Sequence, residues 1–490
     1  MTLSRQQFVK NSAWTFAELT LFPLLVIIAT PVFISRLGIE QYGLWMLVGL
    51  ITQAINILNI GVGDTIIRLV SQYRAENRPG EVPKVFMHNF SMALFLCLLA
   101  AALGFIFYST DFVSLFYKGN NYEFANTILF LTCISGGIKF VEVTVLSVFK
   151  AFERFDVNSK LLLVSKNSVV LCNLLMVMAG SGLVNVVLVT VLVNALNVII
   201  QLVALHRFNP GILKTPGLDF LKQEVAYFRY NFWYWLQSSI ALAGFLADKL
   251  AVAWFTDVKT LGYYYIASMI GANIHNFFLA FGGFIFPRVS FRLSASASIV
   301  PLYYTARSLI ALPGWLLTLA LILFGDPVFE LWLGTQTYLN SIYFIKLYLV
   351  FEAGMLLIIT PFYFINGTSS IRLNSLFEIV IRLSHFILML LGYKFYGVNG
   401  VVYGLIVSTF LNIPFQYFLF HRNVLQGAGS WQFLLVALPV VCLLALLFFN
   451  GVLYHVALMV IFFIVCKLIY FDPARQYTGG FFSNTGARKH

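Results

Sequence analysis

What constrains this chain most is a recurrence of apolar runs of about 20 residues, each long enough to cross a hydrocarbon core as a helix. Such a core holds no water to bond a free N–H or C=O, so each run must satisfy its own backbone by forming a helix. With 60% hydrophobic and 10% charged residues over 490, a set of soluble domains is excluded and an all-α integral membrane protein is expected. Read by apolar length, with Gly, Pro and charge clusters as punctuation, spans fall near residues 12–34, 42–66, 86–108, 124–149, 161–180 and 182–205. Six more fall near 230–254, 262–287, 303–325, 341–365, 374–392 and 397–420, and a last two near 432–449 and 452–471. The expectation is about fourteen transmembrane helices: two six-helix lobes related by internal duplication, plus two carboxyl-terminal helices.

The polar link His206–Glu224, with Pro210 and Pro216, marks the seam. Residues 1–205 are read as the amino-terminal lobe, 206–229 as a cytoplasmic inter-lobe link and 230–425 as the second lobe; 426–471 form the two additional helices and 472–490 a cytoplasmic tail. The duplication rests on two echoes. In Phe33–Gly80 a short link ending in Tyr42-Gly43 feeds an apolar span, then Gly61-Val62-Gly63-Asp64 and arginines; Phe255–Leu293 repeats this with Gly262-Tyr263, an apolar span, a glycine pair and Arg288. A shift of 220 lays Gly63 on Gly283 and Arg68 on Arg288, while a shift of 216 lays Asn158 on Asn374 and Lys166 on Arg382. A period this long indicates a duplicated bundle rather than a solenoid.

The net charge of +12 does not indicate a nucleic-acid partner, because the lysines and arginines sit in short links rather than on one basic face. With the amino terminus and every second link assigned to the cytoplasm, the opposite links keep only Arg36, Lys118, Lys259 and Lys394. That asymmetry places both termini in the cytoplasm. The five cysteines lie in or beside apolar runs with no CxxC spacing, and are read as buried thiols. No small-residue cleavage site follows the first apolar run, which is read as a retained span.

The segments RLGIEQYGLW (Arg36–Trp45), LNIGVGDTIIRLVSQY (Leu58–Tyr73) and FERFDVNSK (Phe152–Lys160), with the duplicated fourteen-helix plan, resemble the polysaccharide transporter family. These are the Wzx-type flippases of lipid-linked oligosaccharides for O-antigen and other surface glycans, in the multidrug/oligosaccharidyl-lipid/polysaccharide (MOP) exporter superfamily. The resemblance implies two lobes facing each other across a central cavity lined by helices one, two, seven and eight. It implies a cargo of undecaprenyl-pyrophosphate-linked oligosaccharide, moved from the cytoplasmic to the periplasmic leaflet of a bacterial inner membrane. Membrane lipids and the glycan polymerase machinery are the other implied partners. Alternating access by rocking lobes would carry a polar headgroup that cannot cross hydrocarbon unaided.

Charges at membrane depth are costly and point to function by default. Lys139 and Glu142 stand at i, i+3 and Glu378 and Arg382 at i, i+4, so mutual neutralisation on one helix face competes with substrate or ion contact. Lys166 and Lys346 lie near span ends and are expected to snorkel. Asp248 and Lys249 point about 100° apart on their helix and are expected to face different partners, as cavity candidates. Glu352 is a further candidate. Glu18 has no basic residue three or four positions away; it finds a partner elsewhere or stays protonated, which makes it, with Asp64, a candidate for coupling to a proton or sodium gradient. Arg68 and Arg288 are placed to meet an anionic pyrophosphate by forked hydrogen bonds; the alternative is that they obey the inside charge bias, with Asp64 and Arg68 pairing at i, i+4. No metal or organic cofactor is expected. The aromatic clusters Phe228–Trp235 and Tyr263–Tyr265 are read as interfacial belts, with stacking on sugars as the alternative.

Two other functions compete. A small-molecule drug antiporter of the sister multidrug family would need only twelve spans and an acidic cavity. A membrane glycan polymerase or glycosyltransferase would need a catalytic constellation in a long external loop. The longest such links, near 109–123 and 326–340, hold neither a histidine nor a paired-carboxylate motif, so no enzyme is expected.

Overall fold

The computed structural model describes residues 5–58, 62–117, 122–213, 220–282, 298–367, 371–423, 436–448 and 451–471, together with 285, 289 and 292. Among them every expected span contains a helix, and there is no strand. The chain divides into two compact units, Met1–Gly262 and Tyr263–His490. The first holds α1 (Arg5–Leu37), α2 (Ile39–Ile55), α3 (Val62–Ala75), α4 (Glu81–Ser109), α5 (Tyr122–Ala151), α6 (Phe155–Met178), α7 (Leu183–Phe208), α8 (Phe220–Phe255) and the start of α9 (Val258–Gly282). The second continues with α10 (Val300–Phe324), α11 (Asp326–Leu333), α12 (Thr335–Gly367), α13 (Ile371–Asn423), α14 (Leu438–Phe448) and α15 (Val452–Cys466). Among the described residues eleven stretches are long and apolar enough to cross a membrane, and α14 is a shorter apolar helix.

Two elements depart from a simple succession of rods. The expected second span is interrupted: α2 ends at Ile55, a 3-10 turn covers Asn56–Leu58, and α3 resumes at Val62. Asn56 is a poor helix former, which suits the change to a 3-10 turn there. Conversely α13 joins two expected spans through Gly397, whose φ of 60° and ψ of −145° only glycine adopts readily. Its two arms then run with their backbones in contact, so that a Cβ on Gly392 or Gly404 would overlap the carbonyl of Gly400 or Leu388. Small residues at a close crossing are how membrane helices pack without a hydrophobic driving force.

Burial is inverted relative to a soluble protein. Leu98 is 71% exposed, Leu175 65% and Leu453 86%, as lipid-facing side chains should be, whereas Gln201 is 1% and Glu142 3% exposed. Ile66, Val70, Val82, Phe86, Val145, Phe149 and Leu205 form an apolar core where α3, α4, α5 and α7 meet. Cys133, Cys442 and Cys466 are buried and Cys97 and Cys172 half-buried, all as free thiols.

Candidate functional site

The largest polar constellation of the first unit lies between α1, α5, α6 and α7. Glu142 on α5 accepts from Lys139 at 2.6 Å with one oxygen, and from Ser165 on α6 and Gln201 on α7 (2.9 Å) with the other. The expected i, i+3 neutralisation is present, joined by two neutral donors from other helices that the sequence did not single out. One residue beyond Ser165, Lys166 bonds Glu18 of α1 at 2.9 Å. Thus Glu18 does find a partner elsewhere, and Lys166 turns inward to a carboxylate instead of snorkelling. Around this core Asn197 donates to Ser168 at 3.0 Å and Asn194 to Ser135 at 2.8 Å. The arrangement zips four helices together with satisfied charges.

Asp248 and Lys249 are also paired, with each other: the ammonium lies 3.1 Å from the carboxylate and both side chains are almost fully buried. Lys249 in addition bonds the carbonyl of Phe245 at 2.7 Å and sits 4.0 Å over its ring. The expectation that helix neighbours point to different partners fails because the four-carbon lysine stem folds back along its own helix, a reach that a backbone angle does not limit.

The exposed residues of α3 are of another kind. Asp64, Arg68, Ser71 and Gln72 are exposed there, whereas α4 exposes Leu94, Phe95, Leu98 and Phe105 and α6 exposes Val164, Leu171, Leu175 and Met178. A polar exposed stripe on a helix of this chain is a water-facing one. Arg288 lies outside the described residues, as do the side chains of 228–234. Tyr264 is buried against Phe344 and Tyr348, at 5.7 and 5.3 Å between ring centroids, so there the interior claims the aromatic that was expected in a belt.

At the opposite end of α2, Gly43 and Gly262, the glycines of the repeated link, make close backbone approaches. A Cβ on Gly43 would overlap the Val258 carbonyl oxygen and lie 2.8 Å from its carbon, and one on Gly262 would lie 2.9 Å from Ile39 O. Asp257 caps this end of α9, accepting from the Thr260 N–H at 2.8 Å.

In the second unit, Arg382 bonds Glu378 at 3.2 Å, the neutralisation expected from their spacing. Lys346 pairs with Asp326 at 2.8 Å. Glu352 on α12 brings Oε2 to 3.2 Å from Nδ1 of His275 on α9, yet neither atom has a hydrogen-bond partner. Gly271 leaves room for that carboxylate, since a Cβ there would lie 2.7 Å from Glu352 Cγ. His275 was not evident in sequence, being a lone histidine in an apolar run. Nor was Arg307 singled out: it lies in α10, 2% exposed, donates to Ile469 O at 2.6 Å and stands 4.4 Å over Tyr470 and 5.1 Å over Tyr304. The duplication extends to hydrogen bonds: as Asn197 donates to Ser168, so Asn412 donates to Ser384, at nearly the period of the Lys166–Arg382 echo. Among the described residues no group of His, Cys, Asp and Glu forms a metal site.

Residues 8–294 match the profile of the family described as polysaccharide biosynthesis protein, more than half of the chain. No curated protein matches the sequence. Among solved structures, one of the lipid II flippase MurJ in an inward closed conformation is similar with a TM-score of 0.71 at 13% identity, over 95% of this chain and 99% of that one. An inward-facing multidrug resistance transporter of the MATE family, in the MOP superfamily, gives 0.65 at 14% identity over 83% and 96%. A MOP superfamily transporter from Pyrococcus furiosus gives 0.59 at 14% over 85% and 96%. At these identities the structures establish a shared fold, and the matched profile establishes the family. This chain is a multi-pass membrane protein of the polysaccharide biosynthesis family.

Proposed function

We propose that the protein is a flippase for an undecaprenyl-pyrophosphate-linked oligosaccharide, an O-antigen or similar surface repeat unit. In this reading it carries the cargo from the cytoplasmic to the periplasmic leaflet of a bacterial inner membrane by alternating access, coupled to a proton or sodium gradient. The observation that carries the reading is membership of a polysaccharide biosynthesis family on a fold shared, over 95% of this chain, with a lipid II flippase. The drug-exporter structures account for a smaller share of it, 83% in the inward-facing case. The wet face of α3 supports the reading from within: Arg68, a forked donor, stands where an anionic headgroup arrives from the cytoplasm, with Arg288 as its repeat counterpart. Asp248 and Lys249 are a buried couple that a passing pyrophosphate can open.

The test is to delete the gene and ask where lipid-linked repeat units collect. Build-up on the cytoplasmic leaflet, relieved by the wild-type gene and poorly by Arg68→Ala, is the expected result. Unchanged surface glycan together with new drug sensitivity would overturn it in favour of an exporter.

A further inference from the structure

Where α1 passes to α2, a cavity of about 300 Å³ is lined by Glu40, Gln41, Leu44, Tyr117 and Phe124. Its far wall is built rather than loose. Asp111 takes a left-handed conformation (φ 48°) and accepts from Asn126 at 2.6 Å, which ties the end of α4 to α5. The Tyr117 N–H bonds Val113 O at 2.8 Å, and Phe116 packs edge-on to Trp254 at 5.3 Å. Tyr117 is thereby held 8% exposed, at the cavity rather than in solvent. Opposite it, Glu40 and Gln41 in the first turn of α2 supply acceptors and amide donors. The link charges put this end on the periplasmic side, away from most of the arginines.

We propose that this cavity is a saccharide subsite, occupied by one pyranose ring of the glycan as it leaves. A sugar has a C–H face that packs on aromatic rings, here Tyr117 and Phe124, and a rim of hydroxyls that hydrogen-bond a carboxylate and an amide, here Glu40 and Gln41. The volume stands at the small end of sites for organic ligands, about 300–1,000 Å³, and suits a ring rather than a long chain. Among the described residues its only charged group is the Glu40 carboxylate, an acceptor suited to hydroxyls rather than to a phosphate, so the neutral part of the cargo is favoured. The inference rests on the flippase reading and adds a second, chemically distinct contact for the same substrate.

The test uses the full chain in cells that make the surface glycan. A photo-reactive p-benzoyl-phenylalanine replaces Gln41, with the same residue at lipid-facing Leu98 as control, and adducts are probed with antibody to the glycan. A glycan-bearing adduct from position 41 and none from 98 is expected. Glu40→Gln, at an exposed position that tolerates the change, lowers the adduct about tenfold, the loss of one charged hydrogen bond. Tyr117→Leu does the same while Tyr117→Phe retains it. Absence of the adduct at 41, with gene deletion still stranding repeat units on the cytoplasmic leaflet, overturns the subsite and leaves the flippase standing. If deletion strands nothing, both fall. Competition for position 41 by tetraphenylphosphonium, without any glycan adduct, would assign the cavity to a cation and overturn the proposal.

Discussion

Gly43→Ala should part the end of α2 from the start of α9, which meet backbone to backbone at Gly43. The added Cβ would overlap Val258 O and stand 2.8 Å from Val258 C and 3.2 Å from Gly262 N, all backbone atoms that no rotamer change can move aside. Carbon atoms in contact prefer about 3.5–4.0 Å, so the start of α9 must retreat by roughly 1 Å. Overpacking of this kind costs about 1–3 kcal/mol, so any arrangement in which α2 and α9 stand apart at this end gains by roughly 5- to 150-fold. The assay is labelling with a water-soluble maleimide of Leu47→Cys, fully buried one turn below Gly43, in a chain freed of its five native cysteines. Labelling is expected to rise at least about fivefold with Gly43→Ala and to stay unchanged with Gly49→Ala, where nothing lies within 4 Å of the added methyl. Equal labelling in wild type and Gly43→Ala would refute the claim that this backbone contact holds α2 against α9.

Glu142→Ala leaves Lys139, Ser165 and Gln201 without their acceptor; since Lys139 is 36% exposed and can rehydrate, the cost is held to about 1–2 kcal/mol, read as a lower Tm in detergent. Gly404→Val drives a branched side chain into the backbone of Leu388 and should prevent the two arms of α13 from packing, seen as loss of folded protein on size-exclusion; Gly180→Ala, at a positive φ but in open space, is the milder control. Arg307→Met removes the clamp on the turn at Ile469–Tyr470, about 2 kcal/mol, and should raise the labelling rate of buried Cys466. Unchanged Cys466 reactivity would show that the clamp is dispensable.

How far the sequence could be read follows from the range of each interaction. Apolar run length fixed the helices because a membrane helix satisfies its backbone locally. Lys139–Glu142 and Glu378–Arg382 were legible for the same reason, since helical spacing alone puts them on one face. Glu18–Lys166 was not, because its partners stand 148 residues apart and meet only once α1 packs on α6. Arg307 did leave a signal: Tyr303 and Tyr304 precede it by four and three residues, so a guanidinium over two rings was available from spacing. Gly43 and Gly262 were visible as a repeat, but their reason, a backbone approach, exists only in three dimensions.

That difference also changes where ion coupling should be sought. A carboxylate whose acceptors are filled gains little by taking up a cation, and both Glu142, with three donors, and Glu18, with Lys166, are of that kind. Glu352 is not: its Oε2 and Nδ1 of His275 stand 3.2 Å apart with no hydrogen bond to either, on two different helices of one unit. An ion held between the two would bridge α9 and α12, which is the kind of two-state element that coupling needs. On the coupled flippase reading proposed above, Glu352→Gln should remove the dependence on an imposed ion gradient while Glu18→Gln retains it, measured as leaflet distribution of lipid-linked units in inverted vesicles. Full gradient dependence in Glu352→Gln would return the coupling role to Glu18 or Asp64.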